Sequence, residues 1–452
     1  MGIVRTIPRA PGALPLLGHA LPLRRDPLAF LVSLPAHGDV VRIKVGPAAA
    51  LVVCDPDLVQ KVLLDDRTFD KGGPFFERLR EGLGNGLGTC PHGDHRRQRR
   101  LTQQAFQARR MPSYAQVMSK EIAEAVGRWS DGDTIDVLTD MQTITARTTM
   151  ATMFAGTADA SLTGLLVDFD VFSHGVYKRM FMPPPLQKLP TPGNRRYQQA
   201  RARLLQAIGS IIESHRARGD KGEDLLSTLL AASDDGQGLS DAEITDQVMS
   251  FLYAGMETTA AVLAWALHHL ARHPDLEARL HAEVDAVVPD GAPATFDLLP
   301  RLEFTGRVIT EILRLHSPGW MLTRIATTDT ELAGHPVKKG ATLVYSPYLI
   351  HHQATLYPDP ERFDPDRWDG RTTRGRTNAL IPFGGGARKC IADTFGTTEA
   401  TLALATIAAR WRLEPAPGTT VRPAPTTVLN PYGLTMRTTA RTTSNPAASR
   451  TA

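Results

Sequence analysis

The sequence predicts a mainly α-helical domain with a minor β portion, and three observations carry that prediction. A helical pattern runs unbroken by proline from Ser240 to His273; at about 1.5 Å per residue this helix is about 50 Å long, enough to cross a whole domain. Further helical patterns fill most of the chain from residue 93 onwards. Alternating, β-branched segments are short and confined to the first sixty residues and to the stretch after Pro318.

The elements follow in order. Residues 1–25 are proline-rich (Pro8, Pro11, Pro15) and read as extended chain over the surface. Val40–Val45 and Ala50–Val53 form a hairpin. Helices are expected over 93–110, 113–130, 140–156, 160–182 and 195–217, then over the long run, which Pro274 ends. Leu276–Val288 and 302–316 are helical, the latter up to Pro318. Strands are expected over Arg324–Leu332 and Thr342–Ser346, followed by a Pro/Asp-rich meander, a cysteine loop and a helix ending near Trp411. Residues 437–452 are rich in Thr, Ser, Ala and Arg without periodicity and read as a disordered tail. With no repeat and no clear linker, residues 1–436 are taken as one domain.

Composition narrows the function. The 452 residues carry 42% hydrophobic and 22% charged side chains, ordinary for a chain with a substantial core. A net charge of +4 is too small to imply nucleic-acid binding by itself. Three cysteines, Cys54, Cys90 and Cys390, are too few for a disulfide framework and fit a reducing cytosol. No apolar run reaches the roughly 20 residues a membrane span needs, so a soluble cytoplasmic protein without a membrane anchor is expected.

Four segments carry chemistry. In Phe383-Gly384-Gly385-Gly386-Ala387-Arg388-Lys389-Cys390, glycines allow close backbone approach to a bulky ligand. The thiol near a helix start, with Arg388 nearby, is placed to be a thiolate. A buried free cysteine is the ordinary alternative, and the loop lacks the Gly-Lys-Ser/Thr ending of a phosphate loop. Glu311 and Arg314 lie three apart on one face of an apolar helix, where burial would demand further partners; Arg362, in Pro360-Glu361-Arg362-Phe363, is the candidate to close a triad. Ala254-Gly255-Met256-Glu257-Thr258-Thr259 puts small residues inside the long helix, at a local expense in helix propensity, and sets an acid beside a hydroxyl, as in a proton relay. A plain packing notch is the alternative. His95 and Arg99 share a helix face within the basic run 95–100 and could grip carboxylates; no aromatic platform interleaves that run.

Together, in this order and spacing, the four segments resemble those of bacterial cytochromes P450, haem-thiolate monooxygenases, over residues 5–436. The resemblance implies the P450 fold, with the long central helix over the haem and the cysteine loop beneath. It implies haem b as cofactor and Cys390 as the iron ligand, its thiolate favouring O–O cleavage. Phe383, Gly384 and Gly386 would shape the loop around the sulfur. Arg388, His95, Arg99 and Arg324 would meet the propionates, and Glu311, Arg314 and Arg362 would brace the loop from behind. Ala254 and Gly255 would leave room for dioxygen, while Glu257 and Thr258 would supply protons. One departure is Ala392, where the family usually has glycine two residues after the cysteine.

The acid–alcohol pair implies reductive oxygen activation. The chain has no flavin or iron–sulfur motif of its own, so a separate ferredoxin or flavodoxin with its NAD(P)H reductase is implied, docking where Arg96, Arg97, Arg100 and Lys389 add positive charge. A monomer is expected. Substrate would be lined by Phe75, Phe76, Leu79, Tyr253, Trp320, Met321, Leu322, Leu429 and Tyr432, with Phe172, Tyr177, Phe181 and Met182 roofing the site. This apolar set favours a neutral lipophilic substrate, and the wording of the chain resembles actinobacterial members that hydroxylate terpenes, a sesquiterpene-like metabolite being expected. Hydroxylation of a fatty acid or macrolide is the runner-up, and a non-catalytic haem sensor is the reading from another class.

Overall fold

The computed structural model describes residues 6–154, 162–182, 184–218, 222–234, 236–289, 291–370 and 379–441. Its longest helix, Asp241–Leu270, begins on a capping box. The Ser240 hydroxyl accepts from the Glu243 N–H at 3.3 Å, and the Glu243 carboxylate accepts from the Ser240 N–H at 2.8 Å. Both donors would otherwise lack a partner at a helix start. The run ends one turn before His273, and Pro274 opens the next helix, Pro274–Val287, where its missing N–H is no loss.

The long helix is the axis of the molecule. Ala260, Ala261, Ala264 and Ala266 are fully buried along it, and these small side chains let the helices Val137–Phe154, Glu303–Leu315 and Asp393–Arg410 approach closely. Met111–Val126 completes this bundle, whose core includes Met118, Ile122, Leu263, Ile312 and Leu404. A second core joins the N-terminal half of the long helix to Leu162–Phe181 and Pro192–Arg218, through Phe169, Phe172, Leu204, Ile208 and Leu252. A third lies over a five-stranded sheet of Val40–Val45, Ala48–Val53, Thr342–Tyr345, Leu322–Ala326 and Phe69–Asp70, in that order. Only Thr342–Tyr345 against Ala48–Val53 is parallel within it.

Several expectations change. The helix expected over 93–110 is α-helical over His92–Thr102 and then breaks into two tight turns, because Gln107 is extended (φ −68°, ψ 145°). Arg324–Leu332 is two strands, Leu322–Ala326 and Thr330–Leu332, in different sheets. The segment before the basic helix, outside every helix expected from the sequence, contains the helix Gly73–Leu83. The tail prediction fails at its start: Thr435–Ala440 is the central strand of a sheet between Trp411–Pro415 and Thr134–Asp136. Thr438 is fully buried there. Residues 442–452, and positions 155, 156, 160 and 161 of two expected helices, lie outside the described residues, as does the Phe181 side chain.

Candidate active site

Two glycines bend the cysteine loop. Gly384 (φ +69°) and Gly386 (φ +62°) occupy the left-handed region, and a Cβ on Gly386 would stand 2.1 Å from the Leu63 carbonyl oxygen. The loop closes on itself as Cys390 N–H donates to the Phe383 carbonyl at 2.9 Å and Gly384 N–H donates to Ile381 at 3.0 Å. The Cys390 thiol opens into a cavity of about 420 Å³, within the range of small-molecule sites. The expected dipole assistance is outweighed. The following helix starts only at Asp393, and burial pushes the thiol up, partly countered by the Ala392 N–H and by the Lys71 and Arg99 charges. The chain by itself therefore favours the thiol, and a bound cation is what would draw off the proton. Ala392 lines the same cavity.

Behind the loop, Glu311 and Arg314 are fully buried and paired twice, Arg314 Nε to Oε2 at 2.9 Å and Nη2 to Oε1 at 2.8 Å. Their desolvation is met by a full set of partners. Arg314 donates to the carbonyls of His351, Pro360 and Arg362. Glu311 accepts from Asp364 N–H, Trp368 Nε1 and Arg367 Nε. The cation that closes the triad is thus Arg367, at 3.3 Å. Arg362 is exposed and offers its carbonyl alone to this network. His351, missed in the sequence, ties this network to the loop. It is fully buried, and burial lowers its pKa to about 3, so the ring is neutral. Nε2 accepts from Ile381 N–H at 2.9 Å while Nδ1 meets the Arg314 carbonyl at 3.1 Å.

One end of the cavity is cationic. Arg324 is buried with only Nη1 engaged, on the Thr323 carbonyl at 3.0 Å, and its Nε lacks a partner. Arg99 donates to the Lys389 carbonyl at 2.7 Å. His95 is buried and held neutral, with a pKa lowered to about 3 by burial and by Arg388, Lys71 and Arg99; it can donate an N–H but adds no charge, and its Nδ1 lacks a partner. Arg388 is already committed, with Nη2 on Asp70 at 2.5 Å, Nε 3.5 Å from Asp66 and Nη1 on the Cys90 carbonyl at 2.8 Å. It is the most heavily engaged of the four expected propionate partners. Lys71, which sequence reasoning missed, joins them. Burial and the neighbouring arginines lower its pKa to about 7, so an anion arriving there would raise it again.

On the long helix, Ala254, Gly255 and Thr258 line the cavity. Gly255 has a packing reason as well, since a Cβ there would meet Thr149 Oγ1 at 3.0 Å. Thr258 donates to the Ala254 carbonyl at 2.7 Å, leaving its oxygen lone pairs free to accept. Glu257 lies off the cavity wall, bound by the Ser173 hydroxyl and 3.5 Å from Thr427 Oγ1. Burial raises its pKa. Thr427 does line the cavity, so a hydroxyl, rather than direct contact, connects the acid to it. A second acid was overlooked. Glu399 is fully buried, lines the cavity, and is held near neutrality by burial, with a pKa raised to about 7.

Of the expected pocket residues, Phe75, Phe76, Leu79, Tyr253 and Leu322 line the cavity; Phe172, Trp320, Met321, Leu429 and Tyr432 do not. Phe172 is fully buried and stacks on Tyr197 at 5.7 Å. Trp320 donates to the Thr426 carbonyl, and Leu429 and Met321 belong to the core over the sheet. Tyr432 is 59% exposed, under the Arg422 guanidinium. The lining gains Leu83, Leu87, Phe106, Met153 and Val262, drawn from four separate segments.

A thiol, a cationic end and a stretch of small residues on one cavity suit a flat, bulky ligand with carboxylates at one end and a thiophilic centre. Comparison with known proteins agrees. The family model described as cytochrome P450 matches residues 8–438. Pentalenene oxygenase of Streptomyces avermitilis is 46% identical over 437 residues, covering 96% of this chain and 97% of that protein. Cyclooctat-9-en-7-ol 5-monooxygenase of Streptomyces melanosporofaciens is 46% identical over 417 residues, covering 91% and 90%. The crystal structure of the cytochrome P450DA heme domain superposes with a TM-score of 0.88 at 28% identity, covering 98% of this chain and 99% of that one.

Proposed function

The chain belongs to the cytochrome P450 family of haem-dependent monooxygenases, and from that premise we propose that it inserts one oxygen atom from O₂ into a terpene-like lipophilic metabolite, using haem b. Bound haem supplies dioxygen activation. Cys390 would ligate its iron, and the opening of this thiol into the cavity supports that assignment. Arg324, Arg99 and Lys71 would take the propionates as cations and His95 as a neutral N–H donor, with Arg388 positioning the loop through Asp70. Gly384 and Gly386 set the bend that presents the sulfur, and Phe383 covers it.

Ala254 and Gly255 keep space beside the haem, and Thr258 Oγ accepts and returns a proton there. Burial favours the protonated form of Glu257, and the Thr427 hydroxyl would carry that proton to the cavity, with Ser173 holding the acid in place. Electrons come from a ferredoxin or flavodoxin with its NAD(P)H reductase, docking near exposed Arg96 and Arg100. Arg97 is withdrawn from that role, because Glu243 holds it at 2.5 Å. We take the protein as a cytoplasmic monomer; among the described residues no helix is long and apolar enough to cross a membrane.

The observation that carries this reading is the Cys390 thiol sharing one cavity with Ala254, Gly255 and Thr258, under the aromatic wall of Phe75, Phe76 and Tyr253. The names of the two relatives, an -ene and an -en-ol, favour a largely hydrocarbon substrate over a fatty acid or macrolide. The test is twofold. Reduced protein with carbon monoxide is expected to give the red-shifted Soret band of thiolate ligation, and an unshifted band refutes Cys390. A binding and turnover panel of terpenes, fatty acids and macrolides is expected to favour terpenes; hydroxylation of another class alone refutes the substrate assignment.

A further inference from the structure

We propose that the outer side of the helix Gly73–Leu83 carries a second site, for a small oxyanion of the phosphate or carboxylate type. A cavity of about 180 Å³ lies there, lined by Arg78, Glu81, Arg179, Tyr197 and Arg201 among others. The lining comes from three helices, Gly73–Leu83, Leu162–Phe181 and Pro192–Arg218, and none of these residues lines the haem cavity.

The charges do not balance. Arg78 pairs with Glu81, Nη1 lying 2.8 and 3.1 Å from its two oxygens. Arg179 lies over the Tyr197 ring, 4.6 Å from its centroid, and donates to Asn194 Oδ1 at 3.1 Å and the Gln187 carbonyl at 3.3 Å. Neither partner is charged. Arg201 engages its Nε on the Gly82 carbonyl at 3.1 Å, which leaves its two terminal nitrogens to the cavity or to water. Asp246 is near enough to feel Arg201, but its carboxylate is taken by the Asn85 N–H. Three half-buried guanidiniums thus face Glu81, with Asp246 behind, and at least one positive charge is uncompensated. An exposed pair such as Arg78–Glu81 contributes little to holding like charges together. An oxyanion spanning Arg179 and Arg201 would accept charge-assisted, fork-shaped hydrogen bonds from both. Tyr197 is buried beside them and fixes the plane of Arg179 by stacking.

The test is calorimetric titration of the haem-loaded full chain with inorganic phosphate and, separately, acetate, at ionic strength held constant with sodium chloride. The expected result is one saturable site for at least one of the two anions. Arg179→Gln and Arg201→Gln are each expected to weaken it at least tenfold, while Arg272→Gln, exposed elsewhere on the surface, leaves it unchanged. Which anion binds decides between phosphate and carboxylate. No saturable heat with either anion overturns the proposal, as does equal binding by all three variants. Unchanged haem absorption and melting temperature of each variant exclude misfolding as the cause of weakened binding.

Discussion

Glu399→Gln should make this protein more stable, by an amount that grows as pH rises from about 4.5 to about 7 and is complete above it. The carboxyl is fully buried, with the Thr148 and Thr259 hydroxyls as its only stabilising neighbours, and its Oε2 has no hydrogen-bond partner. Burial raises its pKa from 4.5 to about 7. A carboxyl raised in this way is no burden below pH 4.5, where it is protonated in both folded and unfolded chains. Between pH 4.5 and 7 the unfolded chain loses its proton more readily, so stability falls as pH rises, and above pH 7 the full penalty applies. At about 1.4 kcal/mol per unit, the penalty is about 3 kcal/mol. Glutamine keeps an oxygen to accept from Thr148 and cannot ionise. With an unfolding entropy of about 2.1 cal/mol/K per residue, the variant should melt about 3 °C above wild type at pH 8, about 1 °C above it at pH 5 and at nearly the same temperature at pH 4. Differential scanning calorimetry of the two haem-loaded proteins across that range decides it. A difference that does not change with pH, or a variant less stable at pH 8, would refute the assignment of a neutral buried acid.

Three more outcomes are expected. Arg367→Ala removes a cation from buried Glu311 and should destabilise by about 1–3 kcal/mol, while Arg362→Ala, an exposed change that keeps the backbone carbonyl, should stay within about 0.5 kcal/mol; parallel denaturant titrations compare them. Gly386→Ala places a methyl against the Leu63 carbonyl and forces a left-handed alanine, so it should lower haem retention, read from the Soret-to-protein absorbance ratio, whereas Gly209→Ala, with open space around it, should not. Thr258→Ala should divert NADPH consumption from product, and Thr258→Ser should restore coupling; an unchanged product-to-NADPH ratio in the alanine variant would remove Thr258 from the relay.

The residues that could be read in advance are those whose chemistry is written locally. Gly384, Gly386 and Cys390 sit within seven residues, and the bend depends on φ angles that glycine alone adopts easily. The pairing of Glu311 with Arg314 follows from helical spacing, since residues three apart share a face. Ser240 and Glu243 announce the start of the long helix by their own side chains. The helical tally of 93–110 failed at Gln107 because periodicity reports which face is apolar and is blind to one extended residue.

What stayed hidden was every partner supplied from far along the chain. Arg367 and Arg362 are five residues apart in one meander, and only the folded path of that meander decides which of them reaches Glu311. Lys71 and Glu399 look like ordinary surface charges in sequence; their burial comes from helices and strands that arrive from elsewhere. Phe172 and Tyr432 are as apolar or aromatic as Phe75 and Tyr253, yet packing turns the first onto Tyr197 and hairpin pairing turns the second to solvent. The sequence by itself determined the mainly helical class, the long axis helix, the cysteine loop and the buried acid–base pair, because backbone propensity and short-range spacing govern them. Tertiary structure alone decided the shape of the cavity, the ionisation of its acids and bases and the arginine-lined site outside it, because burial and charge proximity depend on which distant segments meet.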